Sequence, residues 1–418
     1  MTDTFNAFEI KNGVVTVDDR PLTELTAGFE TPCFVYNLKH IRSRVQFMRE
    51  TLTTALDARL LSIHYAVKAN SRHSILRLLC ELGASVDVVS DGEIAASLDA
   101  GFQPSDVLFS GVGKTKKELR TAVHQGVKQI NVESLGELER LIRMTEELGI
   151  TAQNAISIGL RFNPNVCPET HPYITTGLKE NKFGLETEAV RDAVKLLCRT
   201  DRLTLRGLSL HIGSQLLDLA PLDEAIERSL ALHDELSSSR AAGPWDRFDA
   251  GGGVGIDYTS FDERTERDAI HSLGEIFTKR LRPRVASGSL RDIMIEPGRW
   301  LVARAGLLLT EVQYVKSTSH KTFVIVDGGM NLLLRPALYE AEHRIEPLHA
   351  SSINKTNKIR VDVVGPICES ADVLGRDRLL PSVNEGDRLA VFDSGAYGRS
   401  MSSNYNLRGW PDEHDLNF

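Results

Sequence analysis

Between about residue 60 and residue 300 a short β-branched run gives way, again and again, to an amphipathic helical stretch, and this alternation limits the fold more than anything else in the chain. The pattern predicts strands over 61–69, 84–90, 106–111, 129–134, 156–164, 205–213, 246–251 and 292–298. The stretches between them carry helix signals. Ile75, Leu78, Leu79 and Leu82 fall on one helical face before Gly83, while Thr115-x-x-Glu118 and Ser134-x-x-Glu137 have capping-box spacing. Eight strands alternating with helices fit a closed (β/α)8 barrel of the TIM type better than an open doubly wound sheet.

On either side the helical period fades. Gly13 to Val17 and Pro32 to Tyr36 read as strands, as do Ala305 to Val315, Lys321 to Asp327, Val361 to Val364 and Arg388 to Phe392. The expected architecture is α/β: a barrel over 41–303 and an all-β domain formed by 1–40 together with 304–418. Low-complexity linkers and internal repeats beyond the strand-helix alternation are not seen.

Composition removes several classes of function. The chain has 418 residues, 41% hydrophobic and 25% charged, which is enough to bury a large core. A formal net charge of -8 offers no basic face for nucleic acid or an anionic membrane. The five cysteines are scattered, odd in number and without metal-ligand spacing, as in a reducing compartment. An acidic, polar start at Met1-Thr2-Asp3 and the lack of a membrane-length apolar run complete the expectation of a cytoplasmic protein without a metal, acting on a small molecule.

Residues able to do chemistry gather at the C-terminal ends of the predicted strands. Lys68 ends the first, Asp87 and Ser90 the second, Gly111 the third, Arg161 and Asn163 the fifth and His211 the sixth. Gly251 to Gly253 end the seventh, and Glu296 to Arg299 the eighth. In a barrel these positions share the rim where active sites lie. A lysine at the mouth of a buried strand loses solvent, and its neutral amine can attack a carbonyl; alternatively it caps an exposed strand end. Three successive glycines let backbone N–H groups approach a phosphate, although turns use them too. The His211 ring could stack on a flat cofactor with Ser214 on its phosphate, or His211 could be a satisfied core histidine. Glu296 could face a pyridine nitrogen and favour its protonated form. Jointly these residues describe a site for pyridoxal 5'-phosphate.

The sequence also resembles the diaminopimelate decarboxylases, within the alanine-racemase-like class of pyridoxal-phosphate enzymes that includes ornithine and arginine decarboxylases. The resemblance runs from about residue 30 to about 408. It rests on His64-Tyr-Ala-Val-Lys-Ala-Asn70, the stretch His171 to Gly184 (HPYITTGLKENKFG), His211-Ile-Gly-Ser-Gln215, Glu296-Pro-Gly-Arg299, Arg335-Pro-Ala-Leu-Tyr339, Cys368-Glu-Ser370, Gly395-Ala-Tyr-Gly398 and Ser400 to Tyr405. It implies that Lys68 binds the cofactor as a Schiff base, with His211 on the ring and Glu296 at its nitrogen. Asp87, Arg161, Ser214, Gly251, Gly252, Gly253, Gly298, Arg299 and Tyr397 are implied to surround it. Arg299, Arg335 and Tyr339 are implied to hold the distal end of the substrate, with Glu369 addressing its distal amine; Tyr397 is implied to lie beside the cofactor phosphate and to contribute to substrate binding. Cys368 is implied to be the acid that protonates the carbanion, reaching with Glu369 into the partner subunit of a homodimer.

The reaction so implied is loss of CO2 from meso-2,6-diaminopimelate to give L-lysine. Taken alone, Arg335 could clamp a carboxylate or only pair with a surface acid such as Glu342, and Cys368 could be a small buried hydrophobe. The alternatives in function are decarboxylation of ornithine, lysine or arginine, racemisation, and a regulatory protein that binds cofactor without turnover. Three departures bear on specificity and packing: Leu332 stands where the family generally has aspartate, Ala371 where it has glycine, and a basic closing strand is missing before Phe418.

Overall fold

The computed structural model describes residues 6–166, 182–237, 242–260, 262–348 and 358–416. These residues form two compact units: Val45–Gly255 with Glu266–Gly298, and Met1–Arg44 with Ile256–Thr265 and Arg299–Phe418.

The first unit is the barrel. Its strands are Leu61–Ala66, Ser85–Val88, Val107–Phe109, Gln129–Val132, Ile156–Arg161, Leu203–Ser209, Arg247–Asp249 and Asp292–Ile295. All pair in parallel in chain order, and Ile293 against Leu61 closes the ring. Each predicted strand is present, and the fold class agrees with expectation. The strands are shorter than predicted, because the polar residues that follow them belong to the rim. Lys68 in particular is not in a strand: it sits in the one-turn 3-10 helix Val67–Ala69 beyond the first.

Both capping sites hold. Thr115 and Glu118 exchange side chain-to-backbone bonds to start the helix Lys116–Gln125. Ser134 accepts from Glu137 N at 3.1 Å, but the Glu137 carboxylate instead takes Glu133 N at 2.9 Å and Lys114 Nζ at 2.8 Å. A local signal has thus been absorbed into a buried network.

The second unit is mostly β. Its central strand, Gly306–Ser317, is buried over its first half and exposed over its second. It pairs with Cys33–Asn37, Arg388–Val391 and Thr322–Val326, and the sheet continues through Lys358–Val364 and Val373–Pro381. Phe8, Val15, Val17, Leu22, Val35, Leu307, Leu309 and Phe392 make its core. Short helices, among them Leu22–Leu25, Arg299–Val302 and Arg335–Tyr339, interrupt the β character. The acidic stretch Asp412–Leu416, where no strand was predicted, pairs in parallel with Cys33–Asn37. Among the described residues no helix is long and apolar enough to cross a membrane.

Candidate active site

In the barrel unit, Lys68 Nζ donates to Asp87 Oδ2 at 3.2 Å, with the lysine side chain 36% exposed and the carboxylate fully buried. Asp87 Oδ1 has no hydrogen-bond partner among the described residues, so one lone-pair face of a buried acid remains open. The turn carrying Lys68 is set by close packing. Ala66 N donates to Pro297 O at 3.0 Å, and a Cβ on Gly298 would lie 3.1 Å from those of Ala66 and Ala69. Gly298 therefore acts on the lysine turn by being small.

The triple glycine is demanded by backbone crowding. A side chain at Gly251 would come within 2.0 Å of Leu210 O, at Gly252 within 2.0 Å of Glu296 O, and at Gly253 within 2.2 Å of Gly213 O. Gly251 and Gly253 also adopt positive φ, +68° and +107°. Gly251 N donates to Asp249 Oδ1 at 2.9 Å and Gly252 N to His211 Nδ1 at 3.3 Å. Leu216 N donates to Gly253 O at 2.8 Å, clipping the loop that carries Ser214 onto the glycines. The strand ends bearing His211, Ser214 and the glycines are thereby one structure.

His211 is half-buried. Because its Nδ1 accepts from Gly252, a neutral ring carries its proton on Nε2. Burial, then the charges of Arg161 and Lys68, hold it well below the ordinary histidine range. Arg161 reaches His211 O with Nη2 at 3.4 Å and Glu133 Oε1 with Nη1 at 2.8 Å. Glu133 Oε1 also accepts from Gly111 N at 2.8 Å. Arg161 thus braces the histidine backbone.

Glu296 lies against Asp249, an acid the sequence reading passed over. The two carboxyls are hydrogen-bonded to each other and buried. Burial, followed by Asp249 and Asp87, raises Glu296 well above the usual carboxylate range, and burial pushes Asp249 up to about 6. Two like charges so close cannot both ionise cheaply, so the pair retains a proton near neutrality. Glu93 was also missed. It completes an N-terminal cap by accepting from Val89 N at 2.8 Å, and burial pushes it up to about 7. The signals were there: Asp249 directly precedes Ala250 and the glycines, and Ser90-x-x-Glu93 repeats the capping spacing.

In the second unit, buried charge of the opposite sign gathers around Tyr258. Arg299 Nη1 donates to Tyr258 Oη at 2.8 Å and its guanidinium lies 4.7 Å from the Tyr397 ring centroid. The Arg335 guanidinium lies 4.2 Å from the Tyr258 ring centroid, with Nη1 2.7 Å from His343 Nε2. Arg335 is buried, and the alternative of a surface pair with Glu342 fails: Glu342 pairs with Arg378 at 3.6 Å. Burial and the charge of nearby Arg299 both work against the Arg335 cation. Tyr258 is positioned by Arg304, whose Nη2 donates to Asp257 O at 2.6 Å and Nη1 to Ser260 O at 2.8 Å. Tyr397 is half-buried and held at φ +58°, an uncommon conformation for a bulky residue. Tyr339 is half-buried at the end of the Arg335–Tyr339 helix.

Cys368 and Glu369 are exposed, which corrects the alternative of a buried apolar Cys368. Glu369 Oε1 accepts from Tyr405 Oη at 2.6 Å. Asp372 fixes their loop by accepting from Ile367 N and Met330 N, both at 2.6 Å. Leu332 is buried. Of the stretch His171 to Gly184, residues 171–181 lie outside the described residues.

Residues 38–303 match the family model described as the pyridoxal-binding domain of pyridoxal-dependent decarboxylases. Over 404 residues the sequence is 41% identical to a curated diaminopimelate decarboxylase of Pseudomonas aeruginosa, covering 97% of this chain and 92% of that one. The crystal structure of diaminopimelate decarboxylase from Helicobacter pylori complexed with L-lysine superposes with a TM-score of 0.85 at 38% identity, over 95% of this chain and 94% of that. The enzyme from M. jannaschii in co-complex with L-lysine gives 0.88 at 36% identity, over 98% and 92%. The chain belongs to the diaminopimelate decarboxylase family of pyridoxal-dependent decarboxylases.

Proposed function

We propose that the protein is a carboxy-lyase that uses pyridoxal 5'-phosphate to convert meso-2,6-diaminopimelate to L-lysine and CO2, the last step of lysine biosynthesis. Family membership supports the reaction, and one observation carries the substrate: two buried guanidiniums, those of Arg299 and Arg335, gather on Tyr258. Arg335 has a neutral imidazole rather than a carboxylate as its hydrogen-bond partner. Buried like charges call for an anion, and a guanidinium recognises a carboxylate in two-point fashion. Ornithine and lysine present only an amine at that end, and an acid would have to face it.

The barrel residues fit the cofactor. Its pyridine nitrogen suits the proton-retaining Glu296–Asp249 pair, and the glycine loop with Ser214 offers a crowded cradle where side chains would collide with carbonyls. Lys68 Nζ is the point of covalent attachment, beside Asp87. His211, braced by Arg161, would cover the ring, Gly298 shapes the lysine turn, and Tyr397 is assigned to the phosphate by the family resemblance. Bound there, the cofactor supplies an electron sink for the negative charge that develops at the substrate α-carbon as CO2 leaves.

The protein's own contribution is orientation. Arg299, Arg335 and Tyr339 anchor the distal carboxylate, and the anchor decides which α-carbon bond stands ready to break. Cys368 Sγ delivers the proton that replaces CO2, and Glu369 accepts from the distal amine. Both are exposed beside Tyr405 on a pinned loop, which supports a homodimer in which they complete the partner's site. The cofactor module is taken as 41–303 with the remainder as β-domain, and the scattered cysteines support a cytoplasmic setting.

The test is to offer the holoenzyme meso-diaminopimelate, L-ornithine, L-arginine and L-lysine and to measure CO2. Release from meso-diaminopimelate alone supports the reading, release only from ornithine overturns the carboxylate clamp, and release from none favours a regulatory role. For the dimer, inactive Lys68→Ala and Cys368→Ala proteins are mixed after reversible dissociation. Sites built across the interface recover about a quarter of native activity by random pairing, and sites complete within one chain recover none.

A further inference from the structure

The strongest residue outside this scheme is His343, fully buried, one turn after the helix that carries Arg335. Its Nδ1 lies 2.7 Å from Phe392 O and its Nε2 2.7 Å from Arg335 Nη1. Neither contact leaves a choice of tautomer. A carbonyl oxygen can only accept, so Nδ1 carries the proton, and a guanidinium can only donate, so Nε2 offers its lone pair. The ring also meets the Tyr258 ring edge-on, with centroids 5.1 Å apart, on the tyrosine whose face Arg335 covers.

We propose that His343 is a positioning residue: held by the Phe392 carbonyl, its neutral imidazole fixes one Arg335 N–H and so aims the rest of the fork at the substrate's distal carboxylate. This rests on the reading of Arg335 as part of the carboxylate clamp. A carboxylate at position 343 would neutralise the guanidinium and compete with the substrate, whereas an apolar side chain would leave a buried N–H unsatisfied and the fork free to turn. A neutral acceptor on a buried strut does neither. The guanidinium is planar in any case, and the one N–H held by the imidazole fixes how that plane, with its remaining donors, is turned, which is what two-point recognition needs.

The test compares two ligands of the holoenzyme: L-lysine held as the reaction product, with its ε-amine towards the cofactor and its single carboxylate at the distal clamp, and cadaverine, which differs from it only in lacking that carboxylate. In His343→Ala, with the visible absorption of bound cofactor intact, L-lysine is expected to bind about tenfold more weakly and cadaverine within about twofold of native. His343→Gln, whose Oε1 can replace Nε2 as acceptor, is expected to recover most of the lysine affinity. Arg335→Ala is measured in parallel. If it loses lysine affinity while His343→Ala does not, the positioning role is wrong and the clamp stands. Equal weakening of both ligands in His343→Ala reduces the histidine to a packing element and overturns the proposal. Unchanged lysine binding in Arg335→Ala removes the clamp itself, and the proposal with it.

Discussion

The barrel unit crowds buried acids beside Lys68, the β unit crowds buried guanidiniums on Tyr258, and each site solves its charge problem differently. Around Lys68, the carboxyls of Asp87, Glu296 and Asp249 are crowded together, and the Glu296–Asp249 pair holds a proton rather than full charge. Around Tyr258, Arg299 and Arg335 cannot lose their protons at any accessible pH, so they are spread over aromatic faces, a phenolic oxygen and a neutral imidazole. An acid site tuned by protonation suits a group that must gain or lose a proton. A permanent cation suits an anchor that must never change. The contrast separates chemistry from recognition, and it can be attacked from either side.

The largest effect is expected at the amine. Lys68→Ala should lower kcat by about a thousandfold or more and abolish the visible absorption of bound cofactor. An unchanged spectrum would refute the assignment of Lys68. Arg335→Ala should leave that spectrum intact and raise KM for meso-diaminopimelate by about a hundredfold, since it removes an anchor and not the reacting groups. Equal loss of cofactor binding in this variant would erase the division between the two units.

Smaller effects probe how the acid side is built. Gly252→Ala places a methyl 2.0 Å from the Glu296 carbonyl oxygen. It should cost roughly 3 kcal/mol in chemical denaturation or weaken cofactor binding to a similar degree; a variant that is native by both measures would show that the loop is not crowded. Asp249 is held at about 6 against an ordinary 3.8, so the folded protein binds this proton more tightly than the unfolded chain. Its stabilising contribution is fully present below about pH 4 and is lost as pH rises through about 6. Asp249→Asn should therefore gain on the native apoprotein by on the order of 2 kcal/mol between about pH 4 and 7, read from melting temperatures. A constant difference across that range would mean that the shared proton is not there.

Much of the fold was legible before any coordinates. The eight barrel strands were visible because short apolar runs alternate with amphipathic helical stretches, several of them opened by a side-chain cap as at Ser90, Thr115 and Ser134, and these are local properties. The strands Ile345–Pro347, Val373–Pro381 and Asp412–Leu416 were not, since IEP and DEHDL carry no period-two apolar pattern and become strands only by pairing with Arg388–Val391 and Cys33–Asn37. Rim chemistry showed the same divide. Lys68, His211, Gly251 to Gly253 and Glu296 stood out by type and placement, whereas Asp249, Glu133, Tyr258 and His343 looked ordinary until their neighbours were known.

The order of amino acids, by itself, settled the repeating strand-helix units, the caps that start the helices and the residue types collected at strand ends, because those follow from side-chain periodicity and hydrogen-bonding along a few consecutive residues. Tertiary structure alone decided that Asp249 and Glu296 are buried against each other, that three glycines are forced by three distant carbonyls, and that Arg335 faces a neutral imidazole. The physical reason is that charge state, crowding and donor direction depend on what is brought within a few ångströms from far along the chain, and no local pattern encodes that distance.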